Sequence, residues 1–310
     1  MTMMKLAPLA LAASLLTAPS AHAFAPSSSR VAVAAAGQQT SRLSKQYYDN
    51  SLTTTTLHST NTNNSEINNP YNTPKLDTTA LLKYTLAGIT ELTLFSTTFH
   101  LLDLAFTQLF STPIPFAFTF VLFYGCSLKS RVFNPLNNQR PDRSKATSSS
   151  EEASPGFRDR VMPSWTPPGV TFPIMWILLI GPVRAYSSSL IVASTGSLFC
   201  APIMAFMLHL TIGDIWNTMN NTEKRYGASV VGVLCVVLSA ANASYMYAGV
   251  DPFAGKLLGG TLIWLCTAAA LITDTWRLNP VEEGGKLVPL YPVVGEAETE
   301  FVWFADKKEG

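Results

Sequence analysis

Arg184, His209, Asp214, Asn242 and Asp274 lie within long apolar runs of a 310-residue chain. In such runs a charge or bare polar group is costly and needs a partner or a task. Arg184 has the most chemistry to offer. A guanidinium at depth can meet an anionic group such as a propionate. It can also bond Asn242 or carbonyls between helices, or snorkel. At the helical rise, Arg184 falls about 20 Å below the end of the bundle bearing Trp165, close to Asn242, and Asp214 about 8 Å below it. For Asp214 and Asp274, ion pairing with Lys129, Lys224, Arg225 or Arg277 near the interface suffices. His209 stands alone in mid-span. No second His lies at helical spacing and no Cys-x-x-Cys-His occurs, so a helix–helix hydrogen bond suits it better than a metal or haem. Trp165, Trp216 and Trp276 fall where an interfacial aromatic belt would. Trp176 and Trp264 lie deeper, where they can pack between helices or wall a pocket for a flat ligand. No phosphate-cradling loop, nucleophile elbow or paired-acid constellation stands in a soluble segment. Hydrolase and kinase chemistry have no support, and no catalytic or metal-ligating set is assigned.

These groups need helices to position them. With 47% apolar and 13% charged residues and a mean hydropathy of +0.21, the chain reads as a polytopic membrane protein with the lipid bilayer as its medium. A net charge of +1 gives no case for nucleic-acid binding. Cys126, Cys200, Cys235 and Cys266 are far apart in apolar runs and read as helix-packing residues. Segments 113–133, 170–192, 198–219, 227–248 and 253–276 each have about the twenty-odd residues that cross ~30 Å of hydrocarbon. Gly227, Gly232, Ala240, Ala241 and Ala243 let the 227–248 segment pack closely on its neighbours. Residues 84–106 carry Glu91, His100 and Asp103 and read as a less apolar, interfacial or partly buried helix. Thr166 can cap the helix that follows Trp165, with Pro167 and Pro168 in its first turn.

Charge placement orients the bundle. Side A, the face of the Trp165 loop (roughly 134–164 and onward), carries Lys129, Arg131, Arg140, Arg143, Lys145, Arg158, Arg160, Lys224, Arg225 and Arg277. The opposite loops, 193–197 and 249–252, contain only Asp251, with Lys256 just inside the next helix. Side A therefore faces the compartment of insertion. Lys75 and Lys83 join it if 84–106 also spans, which favours six helices over five. Residues 1–23 read as a signal peptide ending at Ala21-His-Ala23, and 24–76 as a transit-peptide-like disordered arm, basic and poor in acids. The division expected is then 77–112 for an extra N-terminal hydrophobic helix, 113–280 for the membrane domain and 281–310 for a polar tail without an assigned role.

Two resemblances add to this. Ala21-His-Ala-Phe24-Ala-Pro26 is similar to the presequence junction of algae with complex plastids, which implies a plastid membrane, thylakoid or envelope; simple secretion to another endomembrane is the alternative. Pro163-Ser-Trp165-Thr-Pro167-Pro168 with Phe172 and Trp176 resembles the loop-to-helix signature of the tryptophan-rich sensory protein, or translocator protein (TspO/MBR), family. Trp216-Asn217 with Glu223-Lys-Arg225-Tyr-Gly227, Val250-Asp251-Pro252 with Ala254-Gly255 and Trp264, and Trp276-Arg277-Leu278-Asn279 resemble its later blocks. Val170, Gly213, Gly260-Thr261 and Ile272-Thr273 depart from it, the last pair removing the tyrosine of a proposed cholesterol motif, so sterol binding through it is not expected.

The resemblance implies an all-α fold: a polytopic membrane helix bundle of five TspO-like transmembrane helices, here with an extra N-terminal helix. It implies a bundle that often forms a homodimer and a cavity beneath the 134–169 loop. Its ligand class is porphyrins and related haem-type tetrapyrroles, which would be bound rather than serve as a fixed cofactor. The walls expected are Trp165, Phe172, Trp176, Trp216, Asn217, Trp264 and Ala268, with Arg184 at depth. The function expected is a binding protein for sensing, scavenging or transfer, not an enzyme. The alternatives are a structural or partner-binding membrane protein without ligand, and light-dependent tetrapyrrole degradation beside Trp176 and Trp264.

Overall fold

The structure, a computed structural model, describes residues 73–110, 112–137, 160–281 and 285–304. The leader, nearly all of the arm and most of the 134–164 loop lie outside these residues. Six helical rods occur among the described residues: α1 (Thr78–Leu104), α2 (Phe116–Phe133), α3 (Thr171–Thr195), α4 (Ala201–Asn217), α5 (Tyr226–Val250) and α6 (Pro252–Leu278). No strand is present among them, only two isolated bridges. The fold is an all-α membrane bundle. α2, α3, α5 and α6 are each long and apolar enough to cross a bilayer. α4 has 17 residues and continues into a π turn, Thr218–Thr222.

Local chemistry sets the ends. Asp251 accepts from the amides of Phe253 and Ala254 at 2.8 and 3.1 Å, and Pro252 occupies the first turn of α6. Asp77 caps α1 by accepting from Ala80 N at 2.9 Å. α3 stops at Gly196 in the left-handed conformation. Thr166, expected to cap α3, instead closes a turn on the Pro163 carbonyl, and the helix starts only at Thr171.

The less apolar 84–106 segment is part of α1, a full rod packed on the bundle. Phe95 and Phe99 join Phe123 of α2 and Phe206 of α4 in the main core. Three polar anchors hold this rod, two of them through Asp103 and Glu91, which made the segment hard to read. Near its far end Asp103 accepts from Ser197 Oγ and from the amides of Leu198 and Phe199 at 2.8 and 2.9 Å, ordering the α3–α4 turn. In the middle, fully buried Glu91 accepts from Asn134 Nδ2 at 2.7 Å. Buried Asp214 faces Glu91 and Ser130 rather than the side-A cations expected for it, because α1 covers that face of α4. On the outer face, Thr85, Thr90 and Thr93 donate to carbonyls four residues back, which satisfies their hydroxyls without a partner helix. Asp103→Ala removes the acceptor of three donors. It should lower stability by about 1–3 kcal/mol, read as an earlier thermal transition in detergent, whereas Asp103→Asn keeps part of the bonding and should lose less.

The third anchor lies at side A and holds the polar tail, to which the sequence assigns no role. Residues 285–304 run back over the bundle as a strap. It bridges to both chain segments that precede α1 and follow α2, through Leu76–Val293 and Leu136–Phe301. Trp276 Nε1 donates to Val288 O at 2.9 Å and Lys83 Nζ to Thr299 O at 2.7 Å. Arg225, fully buried, is the centre. Its guanidinium reaches Asp77 at 3.0 Å, Glu223 at 2.9 Å and Glu296 at 3.9 Å. It also donates to the carbonyls of Val293 and Ala297 at 3.3 and 2.7 Å, and Tyr84 Oη donates to Glu223. Burial alone would lower the pKa of Arg225; the surrounding Tyr84, Asp77, Glu223 and Glu296 more than reverse that and hold it above its ordinary value. Gly227, read as a helix-packing residue, has another task. A Cβ there would lie 1.9 Å from the Pro289 carbonyl oxygen, so only glycine lets the strap lie on α5.

Candidate ligand-binding site

Residues 160–170 cross side A as a pinned loop. Arg160 donates to Asn220 O at 2.9 Å and lies over the Tyr226 ring at 5.0 Å. Val161 and Asn279 exchange two hydrogen bonds of 2.9 Å. Trp165, 44% exposed, donates its indole N–H to Asp274 Oδ2 at 3.0 Å. Asp274 also pairs with Arg277 at 3.7 Å, the interfacial ion pair expected of it. The loop thus reaches from the α4–α5 end to the end of α6.

Beneath it, α3 begins with an irregularity that its sequence explains. Met175–Ile180 is π-helical, and Gly181 N bonds Trp176 O five residues back. In that register the next donor would serve Ile177 O, but residue 182 is proline and has no N–H. Tyr124 Oη of α2 fills the gap, donating to Ile177 O at 3.0 Å. Gly181 makes room: a Cβ there would meet Tyr124 Cε2 at 2.9 Å and Trp176 O at 2.8 Å. The widened turn also carries Trp176, whose ring lies 4.9 Å from the Arg184 guanidinium carbon. Phe206 lies on it too, at 5.9 Å.

Arg184 is 3% exposed. Its Nη2 lies 2.6 Å from His209 Nε2, and His209 Nδ1 lies 3.1 Å from Ser239 Oγ. A guanidinium can only donate, so Nε2 accepts and Nδ1 carries the proton. Ser239 Oγ then accepts from the imidazole and donates to Val236 O at 2.9 Å. The chain Arg184–His209–Ser239 joins α3, α4 and α5 and fixes one tautomer. His209 therefore makes the helix–helix bond expected of it. Asn242, expected to meet Arg184, is exposed on α5, and its one polar contact among the described residues is with Met246 Sδ of the same helix. Arg184 Nε finds no acceptor among the described residues.

The expected walls fall into groups. The rings of Phe172 and Trp264 meet edge-on, 5.8 Å between centroids. Trp176 and Trp216 pack on one cluster, Val236 and Ala240 of α5 with Leu265 of α6. Half-buried Ala268 is one turn further along α6 from Trp264. Trp165 stands apart at the end of α6. Asn217 is engaged within its own helix end, donating to Gly213 O at 2.9 Å and accepting from Asn221 Nδ2 at 3.0 Å. Trp216 Nε1 is likewise satisfied, by Ser229 O at 3.1 Å. Sequence reasoning missed Phe206, Ser239 and Tyr124. Only Pro182 in mid-helix signalled that Tyr124 would be needed.

Fold and site together define a multi-pass α-helical membrane protein in which half-buried aromatic side chains gather near one end and a buried arginine lies under one of them. Residues 144–277 match the model of the TspO/MBR family. The matched stretch holds α3 to α6; α1, α2 and the strap lie outside it. The chain is 26% identical over 124 residues to protein CrtK of Rhodobacter capsulatus, which covers 39% of this chain and 76% of that protein. It is 28% identical over 127 residues to the translocator protein of Sus scrofa, 40% of this chain and 75% of that protein.

Proposed function

We propose that the protein binds porphyrins or related tetrapyrroles in the membrane, for sensing, scavenging or transfer. One observation carries the reading: the half-buried Trp176 ring lies over a buried guanidinium that keeps one N–H without an acceptor, and half-buried Phe172, one turn earlier on α3, meets Trp264 edge-on. Flat aromatic ligands suit such walls, and a carboxylate suits that N–H. The matched family, whose resemblance implies this ligand class, supports it. Trp165, Trp216, Asn217 and Ala268 would form the upper rim. Because Arg184 lies under the Trp176 ring, the indole must swing aside before an anion reaches it. We further place the protein in a plastid membrane with side A toward the stroma, reading 1–23 and 24–76 as its delivery signals, and as a homodimer.

A protoporphyrin titration of the detergent-solubilised protein, read by tryptophan quenching and porphyrin absorbance, tests this. Saturable binding should weaken about tenfold, ~1.4 kcal/mol, in each of Trp176→Phe, Trp264→Phe and Arg184→Gln. Affinity untouched by all three changes would sink the site. Absence of saturable binding would favour the structural reading, which has its own support: Arg184 is already packed by Trp176, Phe206 and His209. A new chromophore formed under illumination, and lost with Trp176→Phe, would instead identify breakdown of the bound ligand.

A further inference from the structure

We propose that Glu91 and Asp214 form a proton-binding site between α1 and α4: the docked pair holds one proton, and its loss to side A loosens α1 from the bundle. The two carboxyls come from different helices and lie within hydrogen-bonding reach of each other. Glu91 is 0% and Asp214 6% exposed. Ionised carboxylates only accept, so two of them cannot bond one another. With one proton between them the contact becomes a hydrogen bond, and a single negative charge remains instead of two.

Unmet acceptors mark where the proton belongs. Asn134 Nδ2 serves Glu91 Oε2 at 2.7 Å, and Ser130 serves Asp214. No donor among the described residues reaches Glu91 Oε1 or Asp214 Oδ2. Thr211 is an independent sign. It lies one turn before Asp214, is 1% exposed, and its hydroxyl has no partner among the described residues either. Its methyl stands 3.6 Å from where a Cβ on Gly88 would lie, so the side chain faces α1 one turn before Glu91. Buried polar groups without partners call for a missing species. Little room is left for a large one, because the same Cβ would stand 3.2 Å from Ile215 Cδ1. The charged groups facing the pair from other elements are Arg131, after α2, and Arg184 of α3; both act on Asp214. They favour the remaining charge there, which leaves the proton to Glu91. Without the proton, like charges on α1 and α4 repel across a dry contact. Ser130 and Asn134, in the last turn of α2 and just after it, border the pair on side A and give the proton its way out. Glu91 lies outside the matched stretch 144–277, so the site belongs to the added helix, and neither carboxyl is a wall of the tetrapyrrole site.

The test titrates the detergent-solubilised full chain with pH and reads it in two ways. The infrared C=O band of a buried protonated carboxyl should shift in heavy water, fade as pH rises, and be missing from both Glu91→Gln and Asp214→Asn. Deuterium exchange of the α1 amides, taken relative to α5 in the same sample to cancel the chemical rate, should rise with pH. Above the ~4 at which a free carboxyl titrates, the docked state holds a proton that the released state has given up. Docking should therefore weaken about tenfold per pH unit until the pair itself lets the proton go. Glu91→Gln keeps a donor toward Asp214 at every pH and should hold α1 docked throughout, with the pH response lost. An α1 that exchanges in step with α5 at all pH values, a response kept in Glu91→Gln, or a carboxyl band untouched by both changes overturns the proposal. So does an α1 response to replacing sodium by choline at fixed pH, which would make the occupant a metal ion.

Discussion

Arg225→Met is expected to be the most damaging single change outside the membrane, costing about 3–5 kcal/mol. The reason is asymmetry. Asp77, Glu223 and Glu296 converge on one guanidinium that is wholly buried. Removing it leaves their negative charges facing one another, with the Val293 and Ala297 carbonyls also losing a donor. A buried ion pair adds little over an apolar replacement of the whole set, but breaking one is costly because the orphaned charge stays behind. Because the strap and the start of α1 share this cation, they should be released together. Protease cleavage within 285–304 and an earlier thermal transition in detergent should appear in the same variant. Gly227→Ala should free the strap without touching a charge, since the methyl group would collide with Pro289 O. If Arg225→Met unfolds no earlier than the parent, the cluster is not what holds the strap.

The second large effect is expected in the membrane core. His209→Leu should destabilise by about 2–4 kcal/mol, because it takes the acceptor from a buried guanidinium. Arg184→Leu alone should cost less, since it removes the charge together with its demand for a partner. The double variant should be more stable than His209→Leu, a coupling that a double-mutant cycle measures directly. Additive losses would mean that the 2.6 Å contact carries no energy of its own. The same three proteins separate structure from binding. Arg184→Leu that folds well but no longer takes up protoporphyrin would assign the guanidinium to the ligand.

What could be read without coordinates was whatever depends on runs and local spacing. Continuous apolar stretches of about twenty residues had to become helices, because such a run satisfies its own backbone in lipid only as a helix. Their limits shifted by only a few residues where caps such as Asp251 and Gly196 decided them. The aromatic block from Trp165 to Trp176 and the stretch that matches the TspO/MBR family model were visible in the same way.

Tertiary structure alone decided which side chains meet. Depth along a helix placed Arg184, His209, Asn242 and Asp214 by level but not by rotation, and a helix turns about 100° per residue. Arg184 therefore found His209 rather than Asn242, and Asp214 found Glu91 and Ser130 rather than Lys129, Lys224, Arg225 or Arg277. The tail gave no local sign of its place, because a strap without periodicity is held only by distant partners: Arg225, Trp276 and the space above Gly227. Runs of like residues determine the elements of this protein; the rotation of each helix about its own axis, set by packing, determines its polar contacts.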